Sequence, residues 1–126
     1  ITCTVSGTYT EAEAEALAMS VISSPLTKAA IFGCDANWGR VLCAMGYSGV
    51  DFDPEGVRIV FSSGAGSVTV CENGMGLDFD EALAKKILQE PEVNISADLG
   101  QGLASATCWG CDLTYDYVRI NGDYRS

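Results

Sequence analysis

The chain has no histidine, only three prolines and only seven basic residues in 126 positions. Without imidazole it can build neither a Ser-His-Asp nor a Cys-His engine, nor a zinc site that needs a histidine ligand. Seven Lys+Arg against seventeen Asp+Glu leave a formal charge of −10. That balance repels phosphate-dense partners and argues against a nucleic-acid or membrane-surface binder. No apolar run approaches the ~20 residues that a bilayer span needs, and Ile1 to Val5 carry no basic segment of an export signal. A cytoplasmic location is the expectation. Repeats, low-complexity tracts and linker-like stretches are also missing. The first residue is Ile1 rather than methionine, so a piece of a longer polypeptide is expected.

What is present is a core. Hydrophobic residues make up 48% and charged residues 19%, which suits one packed domain over residues 1–126. Six cysteines (Cys3, Cys34, Cys43, Cys71, Cys108, Cys111) allow a disulfide framework, but such scaffolds are usually shorter and loop-rich. Three of the six lie inside strong apolar periodicity, where cysteine acts as a small hydrophobe. Six free thiols are expected.

Residues 2–8 read as a strand closed by Gly7. Thr10-Glu11-Ala12-Glu13 is a capping box, and Ala14, Leu17, Ala18, Val21 and Ile22 follow at helical spacing. Ser24-Pro25 caps a second, short helix that stops near Gly33. Trp38, Val41, Leu42 and Met45 predict a third, with Trp38 as its core anchor. Gly39 costs about 1 kcal/mol inside that helix relative to alanine, which calls for close approach of a backbone or a ligand. Val57, Ile59 and Phe61 alternate with Arg58 and Ser62 as a strand, followed by a second ending at Asn73-Gly74. Asp80 caps a helix with Leu83, Ile87 and Leu88 inward. Val93 to Leu99 alternates cleanly, and a last strand spans residues 103–111. This order predicts an α+β fold: two layers, a small mixed or antiparallel sheet with helices packed on one face.

Few motifs carry chemistry. Cys108-Trp109-Gly110-Cys111 is a C-x-x-C, yet it sits in a strand with no helix after it and no second pair to complete a four-thiolate metal site. Gly64-Ala65-Gly66-Ser67 lacks the Lys-Ser/Thr of a phosphate loop and precedes a strand. Asp51, Asp53 and Glu55 lack a calcium-loop pattern and read as a solvated turn. Asp35-Ala36-Asn37-Trp38-Gly39-Arg40 gathers cap, amide, indole and guanidinium at one helix entrance. It reads as a capped amphipathic helix, while a helix N-terminus also presents amides to an anion. The tail Asn121-Gly122-Asp123-Tyr124-Arg125-Ser126 concentrates polar side chains suited to an amino acid's carboxylate and ammonium groups.

Together these stretches resemble one family, the ornithine acetyltransferases (glutamate N-acetyltransferases) of arginine biosynthesis. Residues 24–33, the Asp35 to Arg40 segment, Asp98-Leu99-Gly100 and residues 111–126 carry the likeness, in order and over nearly the whole chain. The resemblance implies a precursor that cleaves itself before a threonine to give α and β chains. That threonine takes the acetyl group of N-acetyl-L-ornithine and passes it to L-glutamate; some members also accept acetyl-CoA. It further implies that this chain is the C-terminal part of the β chain, with the nucleophile and oxyanion hole outside it and no activity alone. No catalytic residue, metal or cofactor is then expected here, and Cys34 and Cys108 are not catalytic. Asn121 and Ser126 match substrate-binding positions, while Asn37, Trp38 and Arg40 match a signature that supports the site. The implied partners are the α chain and the remainder of the β chain, in an α2β2 heterotetramer. Two other readings stand beside it: a freestanding, non-catalytic binding module that kept the fold, and a thiol oxidoreductase using Cys108 and Cys111.

Overall fold

The computed structural model describes residues 1–113. In chain order the elements are β1 (Thr2–Thr8), α1 (Glu11–Ser23), α2 (Pro25–Phe32), α3 (Trp38–Gly46), a 3-10 turn (Pro54–Gly56), β2 (Arg58–Ser63), β3 (Gly66–Glu72), β4 (Met75–Gly76), α4 (Glu81–Leu88), β5 (Asn94–Asp98) and β6 (Ala104–Trp109). The strands form one mixed sheet in the order β4-β3-β2-β5-β1-β6, where only β1 and β5 run parallel. α1 lies over β1 and β6, α4 lies over β2 and β3, and α2 and α3 pack beside α1. The expected two-layer α+β arrangement is what forms.

Alternation along the strands explains the layering. Cys3 and Val5 of β1, Ile59 and Phe61 of β2, Val68 and Val70 of β3, and Ile95 and Ala97 of β5 point to the helices and are buried. From α1, Ala14, Leu17, Ala18, Val21 and Ile22 meet them. Small residues on that stripe let the helix lie close to the sheet, and each large aliphatic buried contributes about 1.5–3 kcal/mol. The helix starts are written locally. The Thr10 hydroxyl accepts from Glu13 N at 3.2 Å, and the Glu13 carboxylate accepts from Thr10 N at 3.1 Å. Ser24, Asn37 and Asp80 cap α2, α3 and α4 by the first of these bonds alone, accepting from Thr27 N, Arg40 N and Leu83 N.

Several details depart from the expectations. α2 stops at Phe32 with Gly33 as its cap, as expected, and the residue that turns left-handed after it is Cys34 (φ 55), with Gly33 at φ −79. Asp35 N donates to Ala30 O at 2.9 Å across this turn, the long bond that closes a helix end of this kind. In α4 the buried residues are Ala84, Ile87 and Leu88. Leu83 is half-buried at the rim of the core instead. β3 does not end the sheet, because Asn73 (φ 53) and Gly74 (φ 72) form a tight hairpin turn into β4. β6 stops at Trp109, where Gly110 comes against Ile22 of α1.

Candidate functional site

The segment from Asp35 to Arg40 joins three parts of the fold. Asn37 Oδ1 accepts from Arg40 N at 3.1 Å, which caps α3, and Asn37 Nδ2 donates to Asp35 Oδ2 at 3.2 Å. Arg40 Nη1 donates to Leu26 O in the first turn of α2 at 3.1 Å. The indole of Trp38 lies flush against β4: a Cβ on Gly76 would come within 2.8 Å of Trp38 Cε2. Trp38 is half-buried at the edge of the core, so it works as a seat for the β3–β4 hairpin more than as an interior anchor. Trp38 and Arg40 thus tie α3 to β4 and to α2 respectively. The two-residue strand that Trp38 seats was missed in the sequence; its one signal was the Asn73-Gly74 pair.

Of the two approaches expected at Gly39, that of another backbone is not found. Among the described residues, only Asn37 Oδ1 would touch a Cβ there, at an ordinary 3.4 Å. Gly39 instead borders an open groove of about 210 Å³ between α2 and α3, walled by Leu26, Asn37, Arg40, Cys43 and Tyr47. A second depression of similar size is lined by Ile1, Ile31, Leu88, Glu90, Cys111 and Asp112. The described chain ends beside it. Leu113 N, at the last described residue, donates to Lys28 O at 3.4 Å, on the helix whose first turn Arg40 clamps. Asn121 and Ser126, the expected substrate-binding residues, lie outside the described residues.

The cysteines are unbridged, and their placement weighs against redox chemistry. Cys108 points to the core opposite Cys3 in the β1–β6 ladder, whereas Cys111 is exposed beyond the strand end. Burial, with Cys108 alongside, pushes the Cys3 thiol up to about 12. Burial followed by the Glu15 charge raises Cys108 too, and burial raises Cys71 against the Gly74 amide. A reactive dithiol needs its attacking thiol shifted the other way. Among the described residues no cluster of His, Cys, Asp or Glu could hold a metal ion, and no helix is long and apolar enough to cross a membrane.

Comparison with known proteins gives a single answer. Residues 1–126 match the model of the ArgJ family. The chain is 54% identical over 122 residues to the arginine biosynthesis bifunctional protein ArgJ 1 of Clostridium acetobutylicum, covering 97% of this chain and 30% of that protein. It is 51% identical to the glutamate N-acetyltransferase of Methanopyrus kandleri, covering 97% of this chain and 31% of that protein. The crystal structure of the arginine biosynthesis bifunctional protein argJ of Bacillus halodurans superposes with a TM-score of 0.90 at 40% identity, over 98% of this chain and 56% of that one. The chain thus spans about three-tenths of the length of the Clostridium acetobutylicum and Methanopyrus kandleri proteins.

Proposed function

The chain belongs to the ArgJ family, and we propose that it is the C-terminal domain of the β chain of a glutamate N-acetyltransferase acting in arginine biosynthesis. In the complete enzyme an N-terminal threonine outside this chain takes the acetyl group of N-acetyl-L-ornithine and delivers it to L-glutamate. Splitting the transfer at an acetyl-threonine replaces one difficult step by two easier ones, and a threonine with its own α-amine as base needs no histidine. Oxyanion donors, also outside this chain, hold the tetrahedral intermediates. Acetyl-CoA serves the same threonine in members that use it.

This domain's part is recognition. Asn121 offers both donors and acceptors to an amino acid's charged end, and Ser126 a hydroxyl that turns to either role. Asn37, Trp38 and Arg40 serve as its support: Asn37 caps α3, Arg40 ties α3 to α2, and α2 carries the Lys28 carbonyl that accepts from Leu113 N. The α chain and the rest of the β chain are its partners, in an α2β2 assembly in the cytoplasm. The observation that carries this reading is a family match that runs through residue 126, tail included.

Asn121→Ala in the complete enzyme tests it. Loss of a hydrogen bond to a charged group lowers kcat/KM for both N-acetylornithine and glutamate by about tenfold to a hundredfold, while self-cleavage into two chains proceeds unchanged on a denaturing gel. Wild-type kinetics from the variant remove Asn121 from the site.

A further inference from the structure

Ile1 and Gly110 exchange both backbone hydrogen bonds, at 2.7 and 2.9 Å, and Thr2 N donates to Val93 O at 2.9 Å. The start of β1 is thus gripped on both flanks, by the run into β5 on one side and the run out of β6 on the other. Both flanks continue past Ile1. Pro91 and Val93 form one bank of the depression that Ile1 helps to line, and Gly110, Cys111 and Asp112 form the other. Ile31 of α2 and Leu88 of α4, both buried in the core, line it as well. The result is a slot of about 210 Å³ that prolongs the path of β1 between two backbones.

Backbone alternation shows which groups face the slot. Ile1 turns its amide and carbonyl to Gly110, so Asp112 is the next residue on that side to turn its own inward. Leu113 agrees with this count, because its amide goes instead to Lys28 O on α2 at 3.4 Å. In the parallel ladder with β5, the rung before Thr2 N to Val93 O belongs to Val93 N and Pro91 O. Peptide groups above an apolar floor are what a further strand segment satisfies. It brings amides and carbonyls to both ladders and a side chain to Ile31 and Leu88.

We propose that this slot seats the residues immediately preceding Ile1 in the complete protein, which extend β1 as the middle strand between residues 91–93 and 110–112. The proposal rests on the reading above, in which the remainder of the β chain precedes this domain. The junction is then a piece of sheet and not a tether. It fixes the orientation of this domain on the rest of the β chain. It also carries the incoming chain past Leu113, from which the tail with Asn121 and Ser126 continues.

The test uses the complete protein in a Cys43→Ser background, which removes one exposed thiol and keeps Cys111. In the extended ladder the position directly before Ile1 faces Cys111 as a non-hydrogen-bonded pair, with Cα atoms about 4.5 Å apart and inside disulfide range. A cysteine placed there should link to Cys111 on oxidation with diamide, mapped by mass spectrometry, and Cys111→Ser should abolish the link. A cysteine one place further back turns to the other face of the sheet and should stay free. In the unsubstituted protein the Val93 amide should exchange its hydrogen only on unfolding. No link in the folded protein, equal linking from both positions, or fast exchange at Val93 overturns the proposal. Slow exchange without a link overturns it too, as expected if residues 114–126 fill the slot instead. Acetyl transfer is measured on the same samples: a protein that links but transfers nothing refutes the acetyltransferase reading alone, and an active one that does not link refutes the strand alone.

Discussion

Thr27 is buried in α2 at 2% exposure, and its Oγ1 has no hydrogen-bond partner among the described residues. A buried hydroxyl without a partner costs about 1–3 kcal/mol in lost hydration. Valine keeps the branched shape and fills the same space, and the two residues have nearly equal helix propensity. Thr27→Val should therefore stabilise the protein by about 1 kcal/mol, the low end of that range because a hydroxyl in a helix retains some attraction to the preceding turn. For a domain of this size that is a rise of about 4 °C in Tm. Urea unfolding followed by far-UV circular dichroism should show a higher midpoint with an unchanged slope. Thr27→Ser is the control: it keeps the hydroxyl and loses a buried methyl, at a cost of about 1 kcal/mol. If Thr27→Val is instead the less stable protein by a kilocalorie or more, the hydroxyl has a partner and the reasoning fails.

Gly76→Ala should drive a methyl into the Trp38 indole. Overpacking of this kind costs about 1–3 kcal/mol, and the Trp38 emission should move to the red as the hairpin lifts away; wild-type stability and spectrum would contradict the seating of β4. The thiols give a pH dependence of definite sign. The folded chain keeps the Cys3 proton from pH 9.0 to about 12, where an unfolded chain has released it. Stability should be at its full value below that window and fall across it by about 1.4 kcal/mol per pH unit. Cys3→Ala should flatten the decline; an equally steep fall would assign it to other groups.

Local signals were legible wherever a few consecutive residues suffice. The Thr10–Glu13 box, Ser24-Pro25, Asn37 and Asp80 each mark a helix start because a cap is a contact between near neighbours in the chain. The alternation of Ile59 and Phe61, and of Ile95 and Ala97, marks strands with one buried face for the same reason. The family likeness also stood in the sequence, in Asn37-Trp38-Gly39-Arg40 and the tail. Less legible was the task of each motif residue. Trp38 reads as core by its spacing, yet its partner is Gly76, thirty-eight positions away. The C-x-x-C of Cys108 and Cys111 looks like a pair, yet strand alternation turns the first into the core toward Cys3 and leaves the second outside.

Residue order alone thus determined the four α-helices and every strand but β4, their boundaries to within a residue or two, and the inward face of nearly every one, since each depends on contacts within a turn or a pleat. Which strands lie side by side was decided by tertiary structure. β5 inserts between β2 and β1, and β6 takes the outer place beside β1. No local rule chooses among the strand orders that bury the same apolar faces. The choice rests on how the helices crossing over the sheet close-pack, which only the assembled chain settles.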